Sequence, residues 1–79
     1  MDRVLFDYSK LKGRIKEKCG SQKAFAGRLG TTPSSISMKL NGSQYFSQKD
    51  IMKTARILEI QPEDIFAYFF APKVQKVEH

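Results

Sequence analysis

Apolar residues recur at helical spacing along most of the chain. Leu11, Ile15 and Cys19 fall four apart and define the buried stripe of an opening helix, from about Tyr8 to Lys18. Asp7 stands where a helix cap belongs. Phe25 and Leu29 repeat the four-residue step, and so do Ile36 and Leu40. Ile51, Ala55 and Leu58 form a fourth stripe. Its start is marked by Ser47 and Asp50, a capping box with Asp in place of the usual Glu, and Phe46 and Ile51 flank it as a hydrophobic staple. A fifth helix begins near Pro62, with Glu63 and Asp64 in its first turn, where the helix dipole favours acids. The pattern predicts an all-α chain of five helices. It forms a single domain over residues 1–79, with a core of about 8–70 and a tail of 71–79.

The second and third stripes sit close together, in QKAFAGRLGTTPSSISMKLNG at residues 22–42. Two helices that cross steeply need a small residue at the crossing, and Ala26 supplies one. Gly30 follows Leu29 directly, where the turn needs a positive φ. Thr32 can cap the next helix through its hydroxyl, Pro33 suits its first turn, and Asn41-Gly42 ends it. An ordinary helical hairpin also uses glycine and small residues. The combined spacing, however, is that of a helix-turn-helix.

These residues resemble the helix-turn-helix of the lambdoid phage repressor and Cro family, part of the bacterial Xre-like group. The string GTTPSSI carries the resemblance, which runs from about Tyr8 to Phe70. It implies a five-helix, lambda repressor-like fold and a short Cro-like regulator of transcription in a phage or prophage. No pair of catalytic groups is discernible in the sequence, so neither enzymatic activity nor a cofactor is expected. Carried over from the family, Thr32, Pro33, Ser34, Ser37 and Met38 read base edges. Ser21, Gln22, Lys39, Asn41, Ser43 and Gln44 hold phosphates. The chain departs from the family at Lys39 and Leu40, where an apolar and then an acidic residue are usual. Leu40 takes over the apolar anchor, and Lys39 is expected to turn outward.

Charge agrees with a nucleic-acid partner. The net charge of +6 is unevenly spread: residues 3–56 carry twelve Lys or Arg against three acids, a local +9, whereas residues 57–79 carry −2. A basic face around such a motif is the electrostatic footprint of DNA binding. Lys10, Lys12, Arg14, Lys16 and Lys18 alternate along the first helix, so they wrap around it and cannot all face one ligand. Serines can bond to several bases, and Pro33 and Met38 offer apolar contact alone. Direct readout is therefore expected to be modest and supplemented by Lys39 and by DNA shape.

The fifth helix carries more apolar surface than one buried stripe requires. Ile65 and Phe69 are expected in the core, while Phe66, Tyr68 and Phe70 are expected at a homodimer interface. The tail APKVQKVEH could fold back over these rings. It could also pair as a strand with VLF near the N-terminus or with a dimer mate. The other reading of the aromatics is an antitoxin-like or adaptor module that grips a protein partner. Cys19 alone cannot form an internal disulfide and lies on an apolar stripe, so it reads as a small buried hydrophobe in a reducing cytoplasm. The sequence shows no metal-ligand cluster, phosphate loop, secretory signal or membrane-length apolar run.

Overall fold

The computed structural model describes residues 5–73 and is all-helical. Five α-helices follow in order: α1 (Ser9–Cys19), α2 (Gln22–Leu29), α3 (Pro33–Leu40), α4 (Gln48–Ile57) and α5 (Ile65–Phe69). A 3₁₀ turn, Pro62–Asp64, leads into α5. The fifth helix is thus shorter than expected, because Pro62 opens a tighter turn and α-helical geometry starts only at Ile65.

The local signals act much as their chemistry dictates. Tyr8, not Asp7 as expected, occupies the N-cap of α1, and Asp7 accepts the Ser9 N–H through Oδ1 at 2.9 Å from one residue further out. Ser21 Oγ accepts the Ala24 N–H at 3.0 Å, and Thr32 Oγ1 accepts the Ser35 N–H at 3.1 Å. The box at α4 is reciprocal: the Asp50 N–H donates to Ser47 Oγ at 3.0 Å and the Ser47 N–H donates to Asp50 Oδ2 at 3.2 Å. Gly30 closes α2 with φ 87° and ψ 33°, and its N–H reaches Ala26 O at 3.0 Å.

One core joins the helices. Leu11 and Ile15 of α1, Phe25 and Leu29 of α2, Ile36 of α3, Leu58 and Phe69 are all buried. Each such side chain stabilises the fold by about 1.5–3 kcal/mol over its exposed state. Ala26 is fully buried, as the crossing requires. Ile65 is half-buried and packs against this core, so of the two α5 residues expected inside only Phe69 is enclosed.

Arg14 fastens α1 to the far end of α4. Its Nε donates to Leu58 O at 2.9 Å and its Nη2 to Glu59 O at 3.0 Å. Carbonyls at a helix C-terminus lack intrahelical donors, and the guanidinium supplies them. Lys18 adds an ion pair to Glu59 at 3.4 Å.

The N-terminal segment meets the segment after α5. The Asp7 N–H donates to Ala71 O at 2.7 Å and the Lys73 N–H to Leu5 O at 3.1 Å, an antiparallel bridge centred on Phe6 and Pro72. Pro72 occupies the non-hydrogen-bonded position of the pair, so its missing N–H costs nothing there. Of the two pairings open to the tail, the one with the chain's own N-terminal segment forms through Lys73. The rest of the expected strand, residues 74–79, lies outside the described residues. Among the described residues, no helix is long and apolar enough to cross a membrane.

Candidate nucleic-acid interface

Burial of Ile36 and Leu40 sets the roll of α3. At 100° per residue, Pro33, Ser34, Ser37 and Met38 then share an arc of about 140° that begins beside the buried stripe and runs round to the solvent side. All four are exposed, and so is Thr32. The sequence-predicted base readers are therefore gathered on one solvent face. Thr32 has a double duty, since its oxygen already accepts the Ser35 N–H, which leaves its hydroxyl hydrogen and one lone pair for a ligand.

The start of α2 forms the second part of the site. Lys12, Ile15, Lys16, Gly20, Ser21 and Gln22 line one open depression. Lys12 and Lys16 are one helical turn apart on α1 and flank the N-terminus of α2. The amides of Gln22 and Lys23 have no acceptor within their own helix. A helix N-terminus with two flanking ammonium groups is an anion-favouring arrangement. Ser21 and Gln22 were expected here, whereas the two lysines were not singled out. The signal lay in their i, i+4 spacing on the face of α1 that turns toward Gly20.

The loop after α3 is folded tightly. Asn41 Oδ1 accepts the Ser43 N–H at 2.9 Å. The amides of Ser43 and Gln44 both donate to Met38 O, at 2.9 and 3.2 Å. Backbone donors in this loop are thus satisfied. What remains for a ligand is the exposed side chains of Ser43 and Gln44 and the amide hydrogens of Asn41.

Two residues depart from expectation. Lys39 does not turn outward: its Nζ lies 3.4 Å from Asp50 Oδ2, and its side chain is 15% exposed. Leu40 occupies the core position, which carries Lys39 round toward the N-terminus of α4, where the carboxylate of the capping box waits. Burial pushes the Asp50 carboxyl up, but the Ser47 hydrogen bonds and the Lys39 ammonium outweigh it, leaving the group below its ordinary value. Tyr68 is likewise not free for an interface. It is half-buried against the core, and Lys10 Nζ sits 4.8 Å from its ring centroid. Phe66 is 67% exposed and Phe70 38%, with the Phe70 ring meeting Phe6 edge-on at 5.8 Å.

Residues 4–72 match the family described as "Protein of unknown function (DUF739)". The chain belongs to this family. A search of curated proteins gave no match. Among solved structures, this DUF739 chain is similar to the modulator of repression (MOR) of the temperate bacteriophage TP901-1 from Lactococcus lactis. The two are 43% identical, with a TM-score of 0.74 and coverage of 82% of this chain and 88% of the other. The assignment to the lambdoid repressor and Cro family is thereby corrected to DUF739. The misleading residues were Ala26, Gly30, Thr32, Pro33 and Ile36. They build a crossing, a turn and a cap, which any helix-turn-helix requires whatever its family. Lys39 and Leu40, where the Cro pattern fails, were the discordant positions.

Proposed function

We propose that this DUF739 chain is a regulatory protein of the phage type that binds double-stranded DNA, with α3 in the major groove. The observation that carries this reading is the single exposed face of α3, set beside the anion-favouring depression at the start of α2. In this reading Ser34 and Ser37 hydrogen-bond base edges, and Pro33 and Met38 offer apolar contact to thymine methyl groups. Gln22, Ser21, Lys12 and Lys16 hold one phosphate stretch, and Ser43, Gln44 and Asn41 hold another. Lys39 is left out, because its ammonium already neutralises Asp50. A homodimer formed through Phe66 and the open edge of Phe70 would set two α3 helices about 34 Å apart and require a near-palindromic operator. The similarity to a protein named for modulating repression supports a place in the same kind of phage circuit.

A second reading has its own support. The α3 face holds no Arg, Asn or Gln for bidentate base readout, and Phe66 and Phe70 are exposed. A partner protein gripped by these rings would make DNA binding secondary.

Selection of bound duplexes from random DNA, followed by a salt titration of the selected site, tests the first reading. A palindrome should emerge, and affinity should fall steeply as salt rises, because several phosphates release counterions. Recovery of unselected sequence, or affinity indifferent to salt, would reject the α3 interface. Replacing Ser34 and Ser37 together by alanine should relax base preference while changing stability by no more than about 0.5 kcal/mol.

A further inference from the structure

Arg28 in the last turn of α2 and Lys53 and Arg56 of α4 line a shallow depression whose fourth wall is Ile57. We infer that this surface is a docking site for an acidic segment of a partner protein, one that places an apolar side chain over Ile57 and carboxylates beside the three cations. The site is separate from the α3 face and independent of the DNA reading: no residue of α3 or of the α2 N-terminus lines it.

The first argument is charge. Arg28, Lys53 and Arg56 are all exposed and converge on one depression, and among the described residues none of them forms an ion pair. Among the described residues no carboxylate lines the depression: Glu17 pairs with Arg14, Glu59 with Lys18 and Asp50 with Lys39, Asp7 accepts from the Ser9 amide, and Glu63 and Asp64 lie in the turn before α5. Three like charges held together without a counter-charge repel one another. A ligand that brings negative charge removes that repulsion and is matched in sign. Arg28 is also partly fixed in place, since its Nη1 donates to Cys19 Sγ at 3.6 Å. Its remaining guanidinium donors present the fork that suits a carboxylate.

The second argument is the apolar component, which selects a peptide over a nucleic acid. Ile57 is half-buried in the wall of the depression. A phosphodiester backbone gains nothing from an isoleucine. An amphipathic acidic peptide buries an apolar side chain on it and keeps its carboxylates at the cationic rim. Position agrees: Arg28 stands six residues beyond Gln22, about 9 Å along α2 from the end assigned to phosphate.

The test is an NMR titration of the full chain with a short synthetic peptide of alternating aspartate, leucine and glutamate. A control peptide replaces each acid by its amide. Shifts should concentrate on Arg28, Lys53, Arg56 and Ile57 with the acidic peptide and be lost with the control. The R28A/R56A variant should keep its dispersed amide spectrum and bind roughly tenfold or more weakly. I57S should weaken binding at unchanged charge. The proposal is overturned if shifts spread over all lysines or fall on α3, or if I57S binds as well as the parent. It also falls if nonspecific duplex DNA displaces the peptide by occupying the same four residues, or if the R28A/R56A variant instead loses only self-association, which would make this face a contact between copies.

Discussion

Thr54 is fully buried in α4, and its Oγ1 has no hydrogen-bond partner. A buried hydroxyl left unpaired costs about 1–3 kcal/mol. Thr54→Val keeps the shape and removes the polar atom, so it should raise the unfolding free energy by about 1 kcal/mol, read by urea denaturation. Asp50 makes a prediction in pH. Its folded pKa lies below the ordinary value, so the native state binds fewer protons than the unfolded chain. Its stabilising contribution is therefore present above about pH 4 and lost as pH falls through the folded pKa. Asp50→Asn should be less stable than the parent at neutral pH, and the gap should shrink on acidification in parallel thermal melts. Sequence made half of this pair legible. Ser47 and Asp50 are three apart and announce their own box, whereas Lys39 reaches Asp50 from another helix. That meeting depends on how α3 and α4 cross, which no local spacing encodes. The contact of Arg14 with the carbonyls of Leu58 and Glu59 was hidden for the same reason.

The helices show where local chemistry suffices. Gly30 illustrates it: an added Cβ would meet nothing within 4 Å, so the site demands glycine only for its positive φ. Gly30→Ala should therefore lower stability by about 1–2 kcal/mol with the helix-turn-helix retained, as judged by denaturation and by an unchanged far-ultraviolet spectrum. Signals of this kind, carried within four residues, made α2, α3 and α4 readable from the chain. The last element was less so. Pro62, Glu63 and Asp64 read as a helix start, and the 3₁₀ geometry they adopt differs from an α-helical turn by only one residue in hydrogen-bond spacing. The crowd of aromatics that follows could not be sorted into inner and outer members, because the pairing of Lys10 with Tyr68 and of Phe6 with Phe70 joins distant segments.

The molecule as a whole presents several distinct faces: the α3 surface, the basic rim around Ile57 and the open ring of Phe66. Phe66 and Phe69 are three residues apart on α5 and should behave oppositely. Phe69 is 1% exposed, so Phe69→Ala should cost about 3–5 kcal/mol in folding. Phe66→Ser should leave folding nearly unchanged and reduce self-association, as measured by sedimentation; a loss of folding equal to that of Phe69→Ala would place Phe66 in the core. Family membership was the least legible property at this scale, since the residues that shape a helix-turn-helix are shared by unrelated regulators. The bridge between Leu5–Asp7 and Ala71–Lys73 bears on the chain's topology. It brings Leu5–Asp7 and Ala71–Lys73 within hydrogen-bonding distance, so the backbone between them traces a nearly closed loop. A covalent cross-link between these two segments, with a new opening cut between Asn41 and Gln44, should preserve the fold while shifting the order in which its helices meet. Amide exchange at Asp7 and Lys73 should then slow together, because neither strand could fray without the other.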